Sequence, residues 1–569
     1  MRYLVLVTDY DGTIATGGKA HESTLLAIER LRMSGRRAIL LTGRRVDDLL
    51  VVCPRVRLFD YIVAENGAVL YEPRTREQTL LGKPPPAEFV QRLKELTDNS
   101  IDIGEVVVNT WLPHHIAVLQ AIQEMGLELQ LIFNREAVMV LPAGVNKASG
   151  MEYALRKLGF SPHEAVGIGD AQNDHSFLER CECAVAVANA VPSIRKLAAF
   201  TTKSEAGQGV AELVEELIAN DLSRMHGRLE KNLVTIGLGP DRRPVTVPPY
   251  GLNILIAGPS GTGKSTVTAG IVERLIERAY QVCIVDPEGD YGTLPEVLTL
   301  GSPRHTVTVN QALAVLEDPK MNLNVNLLGI SVADRPEYFG HLFPSLQAMR
   351  TRTGRPHWII LDEAHHMLPA DWGHVGKALP QRLGETVLVT VHPEHLAPMT
   401  LSLVDVVIAV GHAPRETLKA FADAAGQKFT WPEDLSQRKG HAVVWFPRSG
   451  KAPFSMRIMS GRVERIRHLR KYAEGNMRND SFYFRGPAGR HNIKAHNLAI
   501  FSQIAEGIDE ETWLFHLHRG DYSRWFREAV KDPYLADHAE RIEQRRDLRP
   551  AETRELMLSF IEGRYTLPE

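Results

Sequence analysis

Asp9 and Asp11 stand one residue apart in Asp9-Tyr10-Asp11-Gly12-Thr13, directly after an apolar run at residues 3–8. An acid at the carboxyl end of a parallel strand sits where open α/β sheets place their ligands, and two acids in one Gly turn can hold a hard cation while keeping separate roles. A second strand-like run ends in Leu41-Thr42-Gly43-Arg44, which offers a hydroxyl and backbone N–H groups at a helix start, a setting suited to phosphate. Lys147 follows in Val-Asn-Lys, and Gly167-Ile-Gly-Asp170-Ala-Gln-Asn173-Asp174 closes a further run with an acidic loop. Singly, each piece reads equally well as a turn, a helix cap or a solvated charge. Four of them in this order, each at a strand end or a helix start, point to a phosphate and a divalent cation handled together.

With these four motifs, residues 1–220 resemble the haloacid-dehalogenase superfamily, in particular its Cof-type members, and Ala64-Glu65-Asn66-Gly67-Ala68 is similar to one of that family's strand-turn signatures. The resemblance implies a phosphatase in which Asp9 attacks phosphorus to form an aspartyl-phosphate, while Asp11 protonates the leaving alcohol and then activates water. It implies magnesium held by the Asp9 carboxylate, the Asp11 backbone carbonyl and Asp170, with Asp174 in support. Thr42, the Gly43 N–H and Lys147 would balance charge on the transferring group. A cap at about residues 82–145 resembles the compact caps of archaeal phosphoglycolate phosphatases, and Arg44, Asn66, Trp111 and His114 are candidates to face the leaving group of a small phosphorylated substrate.

A second constellation begins with the apolar run 252–257 and continues as Gly258-Pro259-Ser260-Gly261-Thr262-Gly263-Lys264-Ser265-Thr266. The N–H groups of such a Gly-rich loop cradle the phosphates of ATP, Lys264 reaches them as a point charge, and the Ser265 hydroxyl ligates magnesium. His357-Trp-Ile-Ile-Leu-Asp362-Glu363-Ala-His365 delivers two acids at a strand end, Asp362 for the magnesium shell and Glu363 to polarise the attacking water. Asp286-Pro-Glu-Gly-Asp-Tyr291 and a strand ending at Thr390, a candidate γ-phosphate sensor, complete a pattern that resembles the HerA and FtsK class of additional-strand ATPases. That resemblance implies assembly of copies into rings that move nucleic acid. A ring needs an arginine finger from the neighbouring copy, and Arg350, Arg352, Arg355, Arg382 and Arg415 are candidates.

Positioning these residues calls for an α/β fold class with two doubly wound parallel-sheet domains, Rossmann-like and P-loop, an α+β cap inserted in the first, and a mostly helical carboxy-terminal region. The expected boundaries are 1–220, a Pro- and Gly-rich linker at 237–251, 252–453 for the ATPase and 455–569 for the last region. A chain of 569 residues with 44% hydrophobic and 24% charged residues has the balance of a globular protein, and a net charge of −3 provides no global field for a polyanion. Four scattered cysteines exclude a disulfide framework and a paired-cysteine zinc site, and the short apolar run at the start suggests a cytoplasmic protein. Between residues 457 and 494 ten Lys or Arg face three acids, with Phe482, Tyr483 and Phe484 interleaved. His516 and His518 precede the dense run Arg519-Gly-Asp521-Tyr-Ser-Arg-Trp-Phe526, and 536–546 suggests an exposed charged helix. Three functions fit: a phosphatase joined to an ATPase, an end-processing enzyme acting on nucleic acid, or a phosphatase governed by a non-motor ATP switch. Glu363 beside Asp362 favours water activation over transfer to an alcohol.

Overall fold

The computed structural model describes residues 1–134, 136–223, 232–292, 294–371, 382–433, 435, 440–459, 461, 481–530 and 532–565. The chain forms two compact units, one of Met1–Lys264, Arg274–Gly292 and Glu296–Ile458, the other of Ser265–Glu273, Thr293–Pro295 and Met459–Glu569.

The first unit holds two large sheets. In the eight-stranded one, Val5–Asp9 lies between Ala165–Gly169 and Arg37–Leu41, parallel to both. The chain thus runs outward from this strand first to one side and then to the other, which makes its carboxyl end a topological switch point. Val5, Leu6 and Val7 are buried, as expected of a strand covered on both faces, whose sequence reads as a continuous apolar run. The cap is a four-stranded antiparallel sheet, ordered Leu129–Asn134, Ala137–Pro142, Val108–Trp111, Asp102–Ile103. It carries helices Ala87–Leu96 and His115–Glu124 over a small core of its own that includes Phe89, Leu93, Val118 and Val140.

In the 11-stranded sheet Asn253–Ala257 pairs with Thr386–Thr390 and Val406–Ala409, and Trp358–Leu361 lies beyond Thr386–Thr390. One strand therefore intervenes between the Gly-rich loop and the acidic pair. The sheet corrects the expected linker. Val234–Leu238 and Pro244–Val247 pair as an antiparallel hairpin at its edge, and Phe454–Ile458, past the expected end at 453, joins Val234–Leu238 to the rest. The Pro and Gly content encodes the turn, where the Gly239 N–H donates to the Arg243 carbonyl at 2.8 Å, and Pro244 opens an edge strand, where a missing N–H is tolerated.

The second unit has a hairpin of Phe482–Phe484 with Ile493–Ala495, followed by helices Leu498–Gly507, Glu510–His518, Asp521–Glu528, Pro533–Gln544 and Pro550–Tyr565. Phe484, Phe501, Trp513, Tyr522 and Phe526 centre its core. The helix expected to be exposed at 536–546 buries Leu535, Ala536, Ala539 and Ile542, so its charges occupy only one face. Most of the basic run at 457–494 lies outside the described residues. Among the described residues no helix is long and apolar enough to cross a membrane. All four cysteines are buried.

Candidate active sites

Strand register brings the first constellation together. Asp9 pairs with Leu41 and Thr8 with Ile168, so Asp9, Thr42 and Asp170 emerge at the carboxyl ends of three adjacent strands. Lys147 opens helix Lys147–Leu158, capped by Asn146, whose side chain accepts from the N–H groups of Ala148 and Ser149. A lysine in a first helical turn opposes the helix dipole. Its partners explain the placement: Nζ donates to Asp9 Oδ1 at 2.5 Å and to Asp174 Oδ1 at 2.6 Å, and all three side chains are buried. Burial alone would discharge Lys147, but Asp174 and Asp9 outweigh it and hold the ammonium above its ordinary range. Asp9 is pushed well above the carboxylate range, first by burial and then by the charge of Asp174, with Lys147 opposing.

Asp9, Asp170 and Asp174 offer carboxylate oxygens within 4.8 Å of one another. This all-oxygen set fits a hard divalent cation. Asp174 is largely engaged already, since its Oδ2 accepts from the N–H groups of Asp170 and Ala171. Asp170 is steadied by the Thr13 hydroxyl at 3.0 Å, and Gly12 is required beside it, because its φ is +84° and a Cβ there would come within 2.3 Å of the Asp170 carboxylate. Asp11 is gripped in a bidentate pair by Arg44, with both N···O distances 2.7 Å. Thr42 is buried, and its hydroxyl accepts from the Arg44 N–H. Gly43 lies beside Met139 of the cap.

In the second constellation Gly258, Gly261 and Gly263 all adopt positive φ, and a Cβ on Gly258 would strike the Val410 carbonyl at 2.2 Å. Pro259 and Ser260 continue the loop, and the Thr262 hydroxyl donates to the Pro259 carbonyl. Lys264 Nζ donates to the carbonyls of Gly258 and Pro259 at 3.1 and 3.3 Å, and Ser265 and Thr266 lie in the first turn of helix Lys264–Glu277. Asp362 follows Trp358–Leu361. Burial, then the charges of Glu363, Asp286 and Asp290, push its carboxyl up to about 8. Glu363 has φ +40°, a strained value for a non-glycine residue, and among the described residues its buried Oε2 accepts no hydrogen bond, with His365 Nδ1 3.5 Å away. Such an orphaned acceptor among acids fits a nucleotide that arrives with its cation and a water. Thr390 sits level with Ala257, and its hydroxyl lies 3.1 Å from His365 Nδ1. Asp286 has a structural task, accepting from the N–H groups of Gly289, Asp290 and Tyr291 to close its loop.

Residues 6–108 and 131–214 match the haloacid dehalogenase-like hydrolase family, and residues 252–348 match the helicase HerA central domain. The phosphoglycolate phosphatase of Methanothermobacter thermautotrophicus is 28% identical over 223 residues, 37% of this chain and 98% of its own. That of Haloarcula marismortui is 27% identical over 217 residues, 37% and 95%. Among solved structures, a haloacid dehalogenase-like hydrolase from Bacteroides thetaiotaomicron overlays at TM-score 0.34 and 19% identity, covering 38% of this chain and 99% of that one. The first third of the chain is thus similar to haloacid-dehalogenase-type phosphatases, and the segment after it to the HerA central domain.

Several residues of the phosphatase domain gain a purpose only from its tertiary contacts. Glu65, buried with φ +51°, accepts from the N–H groups of Glu105, Val106 and Val107 and so anchors the cap. Gly67 has no alternative, since a Cβ would come within 1.9 Å of the Asn146 carbonyl. Of the four residues expected to face a leaving group, Arg44 holds Asp11, Asn66 is buried against Asn173, and Trp111 and His114 do not line the cavity of about 600 Å³ beside Asp11. Among the described residues, the cap residue that does line it is Asn134, whose buried Oδ1 accepts no hydrogen bond from any of them. A lone Asn in a cap strand gives no sequence signal. In the HerA-like domain, Arg350 donates to five carbonyls, among them those of Pro356 and Leu383, and Arg355 is fully buried on the carbonyls of Leu316 and Gly159. Neither is available to another copy, whereas Arg352, Arg382 and Arg415 are exposed.

The phosphatase and HerA-like domains also meet through buried polar groups. The Gln281 N–H donates to His357 Nδ1 at 2.7 Å, so the proton of His357 resides on Nε2, 2.6 Å from Glu164. Burial keeps this imidazole neutral, while the Glu164 carboxyl stays below its ordinary range because His357 and Arg355 outweigh burial. Glu182 is likewise buried, yet His163 and Arg2 hold it down at about 2. Glu164 immediately precedes the strand that leads to Asp170, and His357 the strand that leads to Asp362.

Proposed function

We propose that the chain hydrolyses small phosphomonoesters at Asp9 and ATP at Glu363. The observation that carries the first activity is the buried bridge from Lys147 to Asp9 and Asp174, with Asp170 in the same carboxylate group. Asp9, oriented by Lys147, attacks phosphorus as the ester P–O bond breaks, and Asp11 gives its proton to the departing alkoxide. Asp11 then takes a proton from the water that cleaves the aspartyl-phosphate, releasing phosphate and restoring Asp9. For both steps Asp11 exchanges its pair with Arg44 for the leaving group or the water. Thr42, the Gly43 N–H and Lys147 meet the phosphoryl oxygens. Asp9, the Asp11 carbonyl and Asp170, with Asp174 in support, would hold magnesium, which would supply charge neutralisation at the phosphoryl group. The relatives named phosphoglycolate phosphatases make phosphoglycolate the first substrate to assay.

At the HerA-like domain, residues 258–264 cradle the ATP phosphates, Asp362 is the acidic ligand for the nucleotide's magnesium and Glu363 draws a proton from the attacking water. That Glu363 Oε2 accepts no hydrogen bond among the described residues supports this role. The Glu164–His357 contact, between the starts of the two strands that lead to the acidic motifs, supports communication between the sites.

The test is phosphate release from an aryl phosphate and from phosphoglycolate with magnesium, with and without ATP. Asp9→Asn is expected to lower turnover by at least about 10³-fold. An Asp9→Asn protein that kept its rate would defeat the assignment, and a Lys264→Ala protein whose phosphatase rate answered to ATP as the parent does would remove the communication.

A further inference from the structure

Two stretches that neither active site uses converge in the second unit on a cavity of about 610 Å³. Tyr483 and Arg485 come from the hairpin, Phe515 and Arg519 from the end of helix Glu510–His518, and Arg524 and Trp525 from helix Asp521–Glu528. The Arg485 guanidinium lies 5.6 Å from the Tyr483 ring centroid, and that of Arg519 5.0 Å from Phe515, so each cation is held against an aromatic ring. His516, at the cavity wall, serves as scaffold. Its Nδ1 is 2.8 Å from Asp521 Oδ2 and its Nε2 accepts the Arg485 N–H at 3.0 Å, which uses both nitrogens of the neutral ring. Asp521 is shared among His516, Arg519 at 3.4 Å and Arg524 at 3.3 Å, so its charge organises the two arginines. Among the described residues, three guanidinium groups line the cavity against two carboxylates, Asp521 and Glu528, a cationic balance.

We propose that this cavity binds a nucleotide unit, a planar base carrying a phosphate, either free or within a single strand. Guanidinium groups meet phosphate oxygens through paired N–H bonds, and rings and guanidinium planes stack on any base without reading its sequence. The volume falls within the roughly 300–1,000 Å³ range of small-ligand sites. The site lies outside both active sites and does not depend on the activities assigned to them.

The experiment uses the full-length chain carrying Lys264→Ala, so that the Gly-rich loop does not hold the probe, and follows the anisotropy of a fluorescently labelled short oligothymidylate. Arg485 is exposed, and replacing it or Tyr483 should leave the melting temperature unchanged. Arg485→Ala is expected to weaken binding about tenfold and to flatten its salt dependence, and Tyr483→Ala to weaken it roughly fivefold or more. Displacement of the probe by AMP identifies the ligand as a free nucleotide, and displacement by unlabelled oligonucleotide alone identifies it as a strand. Absence of binding, affinity unchanged from the parent in both variants, or displacement by inorganic phosphate as effective as by nucleotide would overturn the proposal.

Discussion

At the phosphatase site a buried lysine from another part of the chain lies within 2.6 Å of two of the three clustered acids, whereas at the HerA-like site Lys264 donates to the carbonyls of its own loop and Asp362 is pushed up to about 8. Both sites stand at the carboxyl ends of parallel strands, and both concentrate negative charge in a low-dielectric setting where unpaired charge is costly. They differ in where the balancing charge resides. The phosphatase site contains it as Lys147, which fixes Asp9 in one orientation before any substrate arrives. In the HerA-like site, under the proposed function, the nucleotide's own cation does this, and the acids stay strained and partly unsatisfied, as Glu363 is.

The sharpest way to break this comparison is to disable one site and read both. Glu363→Gln should lower ATP hydrolysis by about 10²-fold or more while ATP still binds and aryl phosphate turnover is unchanged, because only the proton acceptor for water is lost. Unimpaired ATP hydrolysis would remove Glu363 from its role. Next in size, Lys147→Met leaves buried carboxylates without their cation and should cost about 3–5 kcal/mol in urea unfolding. Lys264→Met, which removes a donor to two carbonyls of its own loop, should cost clearly less, and equal losses would erase the distinction between the two lysines.

A smaller effect concerns the joint between the domains. Glu182 is ionised in the folded chain down to about 2, against an ordinary 4.5. Between those values the unfolded chain holds the proton and the folded chain does not, so the Glu182 contribution is complete above about pH 4.5 and is lost as pH falls toward 2. Glu182→Gln should therefore flatten the acid limb of the stability profile, and an unchanged slope would place the acid sensitivity elsewhere. Smallest of all, Asn134→Ala is expected to raise KM for the phosphomonoester several-fold with kcat nearly unchanged, the pattern of uniform binding lost. A kcat loss without a KM change would contradict a leaving-group contact.

Much of the fold could be read from short segments. The runs before Asp9 and Gly258 are apolar because strands buried on both faces must be, and the Gly turns after them leave few conformations open. The stretch 237–251 misled because Pro and Gly mark a tight hairpin as readily as a linker, and only pairing with Phe454–Ile458 decides between them. The helix at 533–544 misled for a related reason: its polar residues dominate the composition while four small or aliphatic ones make the packed face.

The sequence by itself determined the chemistry on offer at each strand end: Asp9 and Asp11, the Thr42 turn, the Gly258–Lys264 loop, and Asp362 with Glu363. Strand, turn and helix start are set by interactions a few residues long, and residue types in order are enough to express them. The tertiary structure alone decided that Lys147 lies on Asp9 and Asp174, that Glu65 anchors the cap, that Asn134 rather than Trp111 reaches the cavity, and that Glu164 meets His357. Each of these joins residues far apart along the chain, and the desolvation that makes such pairings matter exists only once the surrounding core has closed over them.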